Sequence, residues 1–364
     1  MLRNTIEVEM LRIQDPSTEE FSLHNAVYNE ARTRRDWVWE YATHLPSLSV
    51  FTVAKHRNRI VGTQGMLPIY LNIRGQRHLT GKSESSLMER DYRGGTIFRD
   101  LYAYAMAICE AQGMCCVWGF TSAVSVWRDK LGFSVYEGVM QTYALALTRG
   151  PIPETKGRKR GALSRSALST ASTLFYLYCL IRRTFFKKIQ NVDHENFVVE
   201  EKLRNISDLD RLYERLRVRN DEMIHIVLHP EYISWRITEN PNVKYRTCFL
   251  YDGELLRAYT YLNIDKDNVV RLTDFTAEDE VSAVVLLDYL LTVLSMDKVR
   301  FLLFMGNIKN PLIREVLSVF KKAGFFRLGT FRMSFVLKNI SCEESLNQVS
   351  NWYMNGLWTE GYQW

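Results

Sequence analysis

The same order of predicted elements runs twice along this chain, and that repetition limits the folds open to it more than any other feature. In the first half a strand-like run over 77–87 leads to the loop Arg93-Gly94-Gly95-Thr96 and an amphipathic helix. A buried strand over 114–120 and a short helix over 122–130 follow, and Leu131-Gly132-Phe133 closes the set. In the second half, 268–275 reads as strand, 281–294 as helix, 299–306 as strand and 311–322 as helix, closed by Ala323-Gly324-Phe325. Four elements repeated in one order predict a duplicated α+β domain, and 364 residues are ample for two cores.

The loop before the first helix carries the sharpest chemical signal. Ile97, Phe98, Leu101, Ala105 and Ile108 recur at three- and four-residue steps, and Gly113 stands where a C-terminal cap is expected. The helix is therefore an ordinary amphipathic one. Two adjacent glycines at its start expose backbone N–H groups in the positive field of the helix dipole, which makes an anion site. The alternative is a turn that needs glycine only for its dihedrals.

Charge is unevenly spread. The chain is net +6, yet residues 155–192 hold nine Lys and Arg, from Lys156 to Lys188, and no acid, which leaves the rest at −3. A mildly acidic body with a basic insert is not a generally basic nucleic-acid binder. Within the insert "RGPIPETKGRKRGALSRS" reads as a linker. The apolar stretch 167–181 is shorter than the ~20 residues that span a bilayer. It reads either as a helix on an anionic membrane surface, through 156–188, or as a helix packed between two domains. The expected division is a first domain over 1–149, a basic linker and helix over 150–195, a second domain over 196–340 and an aromatic tail over 341–364. Six cysteines show no C-x-x-C pair, and Glu7, Glu9, Arg12 and Asp15 interrupt any early apolar run. Reduced packing thiols in a cytoplasmic protein, peripheral at most to the inner membrane, are the expectation.

The run "RIVGTQGMLPIYLNIRGQ", with "SESSLMERDYRGGTIFRDLYAYA" and "VWGFTSAVSVWRDKLGF" after it, resembles a GNAT acyltransferase domain. In that family an Arg-x-x-Gly-x-Gly/Ala loop holds the pyrophosphate of acyl-CoA, a second strand splays away, and a helix ends in Gly-Phe. Arg93 stands at the loop's arginine with Gly94 and Gly95 behind it, while Thr96 stands where glycine is usual and Phe98 where Gly or Ala is usual. The resemblance implies a site for acetyl-CoA or another acyl-CoA, with no metal. It would be built from Leu87 and Met88 on the strand and Arg93, Gly94, Gly95, Thr96, Ile97 and Phe98 in the loop. Residues 229–246 resemble the entry to the second half of tandem GNAT proteins. The fold so implied is two GNAT-like domains, each a mixed twisted sheet flanked by helices. The tail "NWYMNGLWTEGYQW" is similar to that of some bacterial members encoded with surface-polysaccharide genes, which implies an amino sugar or glycan precursor as acceptor.

Acyl transfer from a thioester to an amine needs a neutral amine, a polarised carbonyl and alignment of the two. The chain has neither a G-x-S-x-G elbow nor a cysteine–histidine signature, which suits direct transfer. A carboxylate on the strand before the loop is placed to take the amine's proton, so Glu84 is the candidate base; its other reading is a solvated strand residue. The phenol that the family uses to protonate the thiolate falls at Arg128 in the first half and Phe320 in the second. Water or another residue serves instead, or the chemistry has been lost. In the second half "TAEDEV" brings Glu278, Asp279 and Glu280 to the helix start, where they repel a pyrophosphate, so one CoA per chain is expected.

Two other functions stay open: an aminoacyl-tRNA-dependent transferase of the cell-wall type, and a non-catalytic CoA-binding or scaffold protein. The run 75–83 fails as a phosphate loop by one residue and lies on a strand. His225 and His229 are four apart without a third ligand and read as structural. Trp235 reads as core.

Overall fold

Two-residue turns with both φ angles positive fix the first sheet. Arg57-Asn58 folds β2 (Val50–His56) onto β3 (Arg59–Ile73), and Arg74-Gly75 folds β3 onto β4 (Gln76–Met88), after β1 (Ile6–Met10) has paired with β2. Between β1 and β2 lie α1 (Thr18–Tyr28) and α2 (Arg34–Trp37), which runs into a wider π turn over Val38–Thr43. Then come α3 (Ile97–Ala111), β5 (Cys116–Thr121), β6 (Ser134–Tyr136), β7 (Met140–Ala146) and α4 (Arg165–Ile189). The second half runs β8 (Phe197–Glu200), α5 (Ser207–Arg219), β9 (Ile224–Ile226), α6 (Pro230–Ile233), β10 (Tyr245–Asp252), β11 (Leu255–Ile264) and β12 (Val269–Ala277). It closes with α7 (Glu280–Met296), β13 (Phe301–Asn307), α8 (Pro311–Lys322), β14 (Phe326–Thr330) and β15 (Ser334–Asn339). This computed structural model describes residues 6–13, 18–28, 32–149, 165–189, 196–341 and 343–359.

The chain forms two units, each with its own mixed sheet. Unit 1 is Met1–Glu137 with Ile224–Asn242 and Met333–Gln348; unit 2 is Gly138–Met223 with Val243–Arg332 and Val349–Trp364. The first sheet has the order β1-β2-β3-β4-β5-β15-β6, with β9 on the far end of β3; the second has β14-β7-β13-β12-β11-β10-β8. Each sheet therefore takes strands from the opposite half of the sequence: β15 pairs with β5 and β9 with β3 in the first, and β7 pairs with β13 in the second. This corrects the contiguous boundaries expected at 149, 195 and 340. An exchanged strand has the same apolar pattern as a resident one, so composition does not reveal the exchange. Part of the expected tail also belongs to unit 2, where Trp352, Tyr353, Leu357 and Trp358 are buried. The linker expected over 150–164 lies outside the described residues.

The repeated Gly-Phe has a packing role in both units. Gly132 (φ +67) and Gly324 (φ +103) take the left-handed conformation that ends a helix sharply. Phe133 then meets Trp127 and Tyr102 edge-on at 4.8 and 5.5 Å, and Phe325 stacks on Phe320 at 4.6 Å. The helix α3 buries Leu101 and Ala105 from the expected face, half-buries Ile97, Phe98 and Ile108, and adds Tyr102 and Cys109, which the periodicity did not name. Cys109, Cys115, Cys116, Cys179 and Cys248 are free and buried; Cys342 lies outside the described residues.

Candidate active site

In unit 1, β4 and β5 run parallel for only three residue pairs: Gly81–Val117, Lys82–Trp118 and Ser83–Gly119. Gly119 allows the last close approach, since a Cβ there would meet the Ser83 carbonyl at 3.1 Å. Beyond it β4 stays on β3 and leaves β5. A bulge marks the departure: Gly65 pairs with Glu84 but Thr63 with Leu87, and Ser85 takes φ +49. From Glu84 to Met88, then, the β5-facing edge of β4 has no partner strand among the described pairings. Such an edge presents amide donors and carbonyl acceptors to an extended ligand.

The loop at the end of that edge is held from below and open above. The Glu89 amide donates to the Val61 carbonyl at 2.8 Å, and a short 3₁₀ turn over Arg90–Tyr92 follows. Arg93 is tied back twice: its amide donates to the Arg90 carbonyl (3.2 Å) and its Nε to the Met88 carbonyl (2.8 Å). This corrects the expectation that the Arg93 amide joins a phosphate cradle, because that N–H is already used. Gly94 has φ +87, and a Cβ added at Gly94 or Gly95 would meet nothing within 4 Å. Thr96 makes no side-chain capping bond, and the first helical bond of α3 runs from the Asp100 amide to the Thr96 carbonyl at 2.9 Å. The amides of Thr96, Ile97 and Phe98 therefore have no acceptor within the helix and sit at its positive end. The side chains of Leu87 and Met88 are buried, so these two residues offer the open edge only their backbone.

Glu84 is not a solvated strand residue. It pairs with Lys82, two positions back on the same face of β4, and the two side chains are only 11% and 8% exposed. Tyr41, from the π turn, covers Gly65, the cross-strand partner of Glu84. The Tyr41 hydroxyl donates to Ser85 Oγ at 2.9 Å, Arg32 Nη1 reaches the same oxygen at 3.3 Å, and Arg32 is paired with Glu40. Gln64 ties the strand together: its Nε2 donates to Ser83 Oγ (2.9 Å) and its Oε1 accepts from Ser86 Oγ (2.5 Å). Sequence reasoning missed Arg32, Tyr41, Gln64, Ser85 and Ser86. The signal was Ser-Glu-Ser-Ser itself, four polar residues interrupting a strand that is otherwise core.

No phenol stands at either position where the resemblance places one. Arg128 pairs with Glu137 at 2.8 Å on the surface, and Phe320 lies in the core of unit 2. Tyr102 is fully buried on α3, and burial pushes its phenol well above 10. The other sequence readings resolve simply. His225 lies on β9 with its Nδ1 near the Ile226 carbonyl, His229 precedes α6 with its Nδ1 2.8 Å from Glu231, and Trp235 is buried with its Nε1 donating to the Trp39 carbonyl at 2.6 Å.

Unit 2 has the same splay and has lost the opening. There β12 and β13 pair in parallel from Val269–Phe301 to Leu272–Phe304 and then part. The C-terminal segment fills the gap: the Asn307 amide donates to the Met354 carbonyl at 2.9 Å, and Gly306 pairs with Asn355. Asn307 Nδ2 donates to the carbonyls of Val349 and Trp352, both at 2.8 Å, and Asn355 Nδ2 donates to Asp274 Oδ1 at 2.6 Å. The start of α7 is closed as well. Asp279 Oδ1 accepts from the Ser282 amide at 2.8 Å and Ser282 Oγ accepts from the Asp279 amide at 3.1 Å, a complete capping box. Those bonds to Ser282 hold the Asp279 carboxyl below its usual range despite burial, and Arg257 adds an ion pair at 2.7 Å.

A mixed sheet whose parallel pair splays beside an uncapped helix start gives unit 1 a GNAT-like fold. Residues 14–136 match the family described as "Acetyltransferase (GNAT) domain". A search of curated proteins gives no match. Among solved structures, a probable N-acyltransferase from Enterococcus faecalis V583 aligns at TM-score 0.60 with 9% identity, over 94% of this chain and 74% of that one. A GCN5-related N-acetyltransferase from Kribbella flavida gives 0.59 and 11%, over 93% and 72%. A tandem GNAT protein from the clavulanic acid biosynthesis pathway gives 0.54 and 12%, over 92% and 98%. At such identities the likeness is one of fold, and it extends over both units.

Proposed function

We propose that unit 1 transfers an acyl group, acetyl in the first instance, from acyl-CoA to an amine. The contrast between the two helix starts carries this reading: α3 is uncapped beside two unobstructed glycines, whereas α7 is closed by its own Asp279. A pyrophosphate would lie on the amides from Gly94 to Phe98, and the pantetheine arm along the open edge of β4 would bring the thioester to the splay beside Glu84. There Glu84 takes a proton from the amine, the nitrogen forms the new C–N bond, the C–S bond breaks, and the thiolate takes its proton from water. An amino sugar or glycan precursor is the acceptor we favour, on the resemblance of the tail alone.

The test is release of CoA thiol from acetyl-CoA in the presence of a panel of primary amines, amino sugars included. Amine-dependent release that falls by about 10²–10⁴-fold in Glu84→Gln, at unchanged acetyl-CoA affinity, supports the reading. No release with any amine, together with transfer from an aminoacyl-tRNA, assigns the cluster to the other transferase class.

A further inference from the structure

The helix α4 sits on unit 2 by one face only. Ser172, Cys179 and Phe186 are buried, Cys179 Sγ accepts from the Ala146 amide at 3.4 Å, and Phe175 meets Phe301 and Phe326 at 6.4 and 5.8 Å. The opposite face is also apolar, and among the described residues nothing covers it. Leu174, Leu177, Tyr178, Ile181 and Phe185 are 44–62% exposed. Their spacing of three, one, three and four residues lines them along a single stripe of the helix. Five large apolar side chains in one stripe form a contiguous patch, unlike singly scattered surface residues, and such patches mark contacts.

We infer that this face of α4 docks on an anionic lipid surface. Charge selects the partner. From residue 155 to 192 the chain has nine Lys and Arg and no acid, against a remainder at −3. A second copy would bring two such basic segments together at the cost of like-charge repulsion, whereas an anionic bilayer offers both the apolar interior and the opposite charge. Among the described residues no helix is long and apolar enough to cross a membrane, so α4 lies in the interface plane. Exposed Arg182 flanks the stripe, held by its Nη2 to the Lys321 carbonyl at 3.1 Å.

The experiment is co-sedimentation of the full chain with vesicles of phosphatidylcholine and phosphatidylglycerol in equal parts, against vesicles of phosphatidylcholine alone. Binding is expected only to the mixed vesicles and should weaken with added salt. The variant L177Q/I181Q/F185Q should lower vesicle affinity by about tenfold or more at unchanged melting temperature. A second variant, R158Q/K159Q/R160Q, keeps the stripe and should lose the preference for anionic lipid. Absence of binding to the mixed vesicles, equal binding to both kinds, or undiminished binding by the first variant overturns the inference. A dimer in solution that the first variant dissolves, without lipid binding, assigns the face to a second copy of the chain instead.

Discussion

Lys82 and Glu84 form a buried ion pair two residues apart on one face of β4, at the point where β5 leaves the strand. A buried carboxylate that loses its partner is costly, whereas removing both charges is not. Lys82→Met should therefore destabilise unit 1 by about 3 kcal/mol in urea unfolding, and Lys82→Met/Glu84→Leu should recover most of that loss. The double variant should still be inactive, because the base is gone. A stable single variant, or an active double one, contradicts the roles given to this pair.

The C-terminal segment is predicted to be a structural plug of unit 2. Asn307 holds two of its carbonyls, and Trp352 is fully buried. Trp352→Ala should cost about 3–5 kcal/mol and Asn307→Ala about 1–3, the second because buried carbonyls are left without donors. Neither should change acetyl-CoA affinity. Thermal melts beside a CoA titration check both outcomes, and a variant that melts normally while gaining a second CoA site would show that the segment only occludes.

What the sequence discloses follows from what is local. The α8 bounds, 311–322, match the structure residue for residue, because Asn310, Pro311 and the closing Gly324 are neighbours in sequence as well as in space. The glycine loop and the acids at the second helix start are equally local. The exchange of β7 and β15 is not, since pairing of Ser334 with Thr121 joins residues far apart in the chain. The same holds for the site: Glu84 could be named from its strand, but Tyr41 and Arg32 reach it only through the fold, and Arg93's tie to Met88 depends on a side-chain rotamer.

Acid should act on the two units in opposite directions. Full burial pushes the Asp274 carboxyl up to about 6, against the pull of hydrogen bonds from Tyr259, Thr276 and Asn355. Its folded pKa lies above the unfolded value, so its contribution is fully present near pH 4 and is lost, by about 3 kcal/mol, as pH rises to 6. In unit 1, burial first and nearby His229 next lower His44 to about 4. That contribution is present above pH 6.5 and is lost, by about 3 kcal/mol, as pH falls to 4. Urea melts between pH 4 and 7 should show Asp274→Asn flattening one trend and His44→Phe, stacked on Trp235 as His44 is at 4.7 Å, flattening the other. Variant curves parallel to wild type contradict the assignment.

Calorimetric titration of acetyl-CoA into the full chain, beside Gly95→Trp, tests the central claim most directly. The account predicts one site per chain, and a loss of affinity in Gly95→Trp without a change in melting temperature, because a Cβ added at Gly95 meets nothing within 4 Å beyond its chain neighbours. No binding, two equivalent sites, or unchanged affinity in a well-folded Gly95→Trp would contradict it.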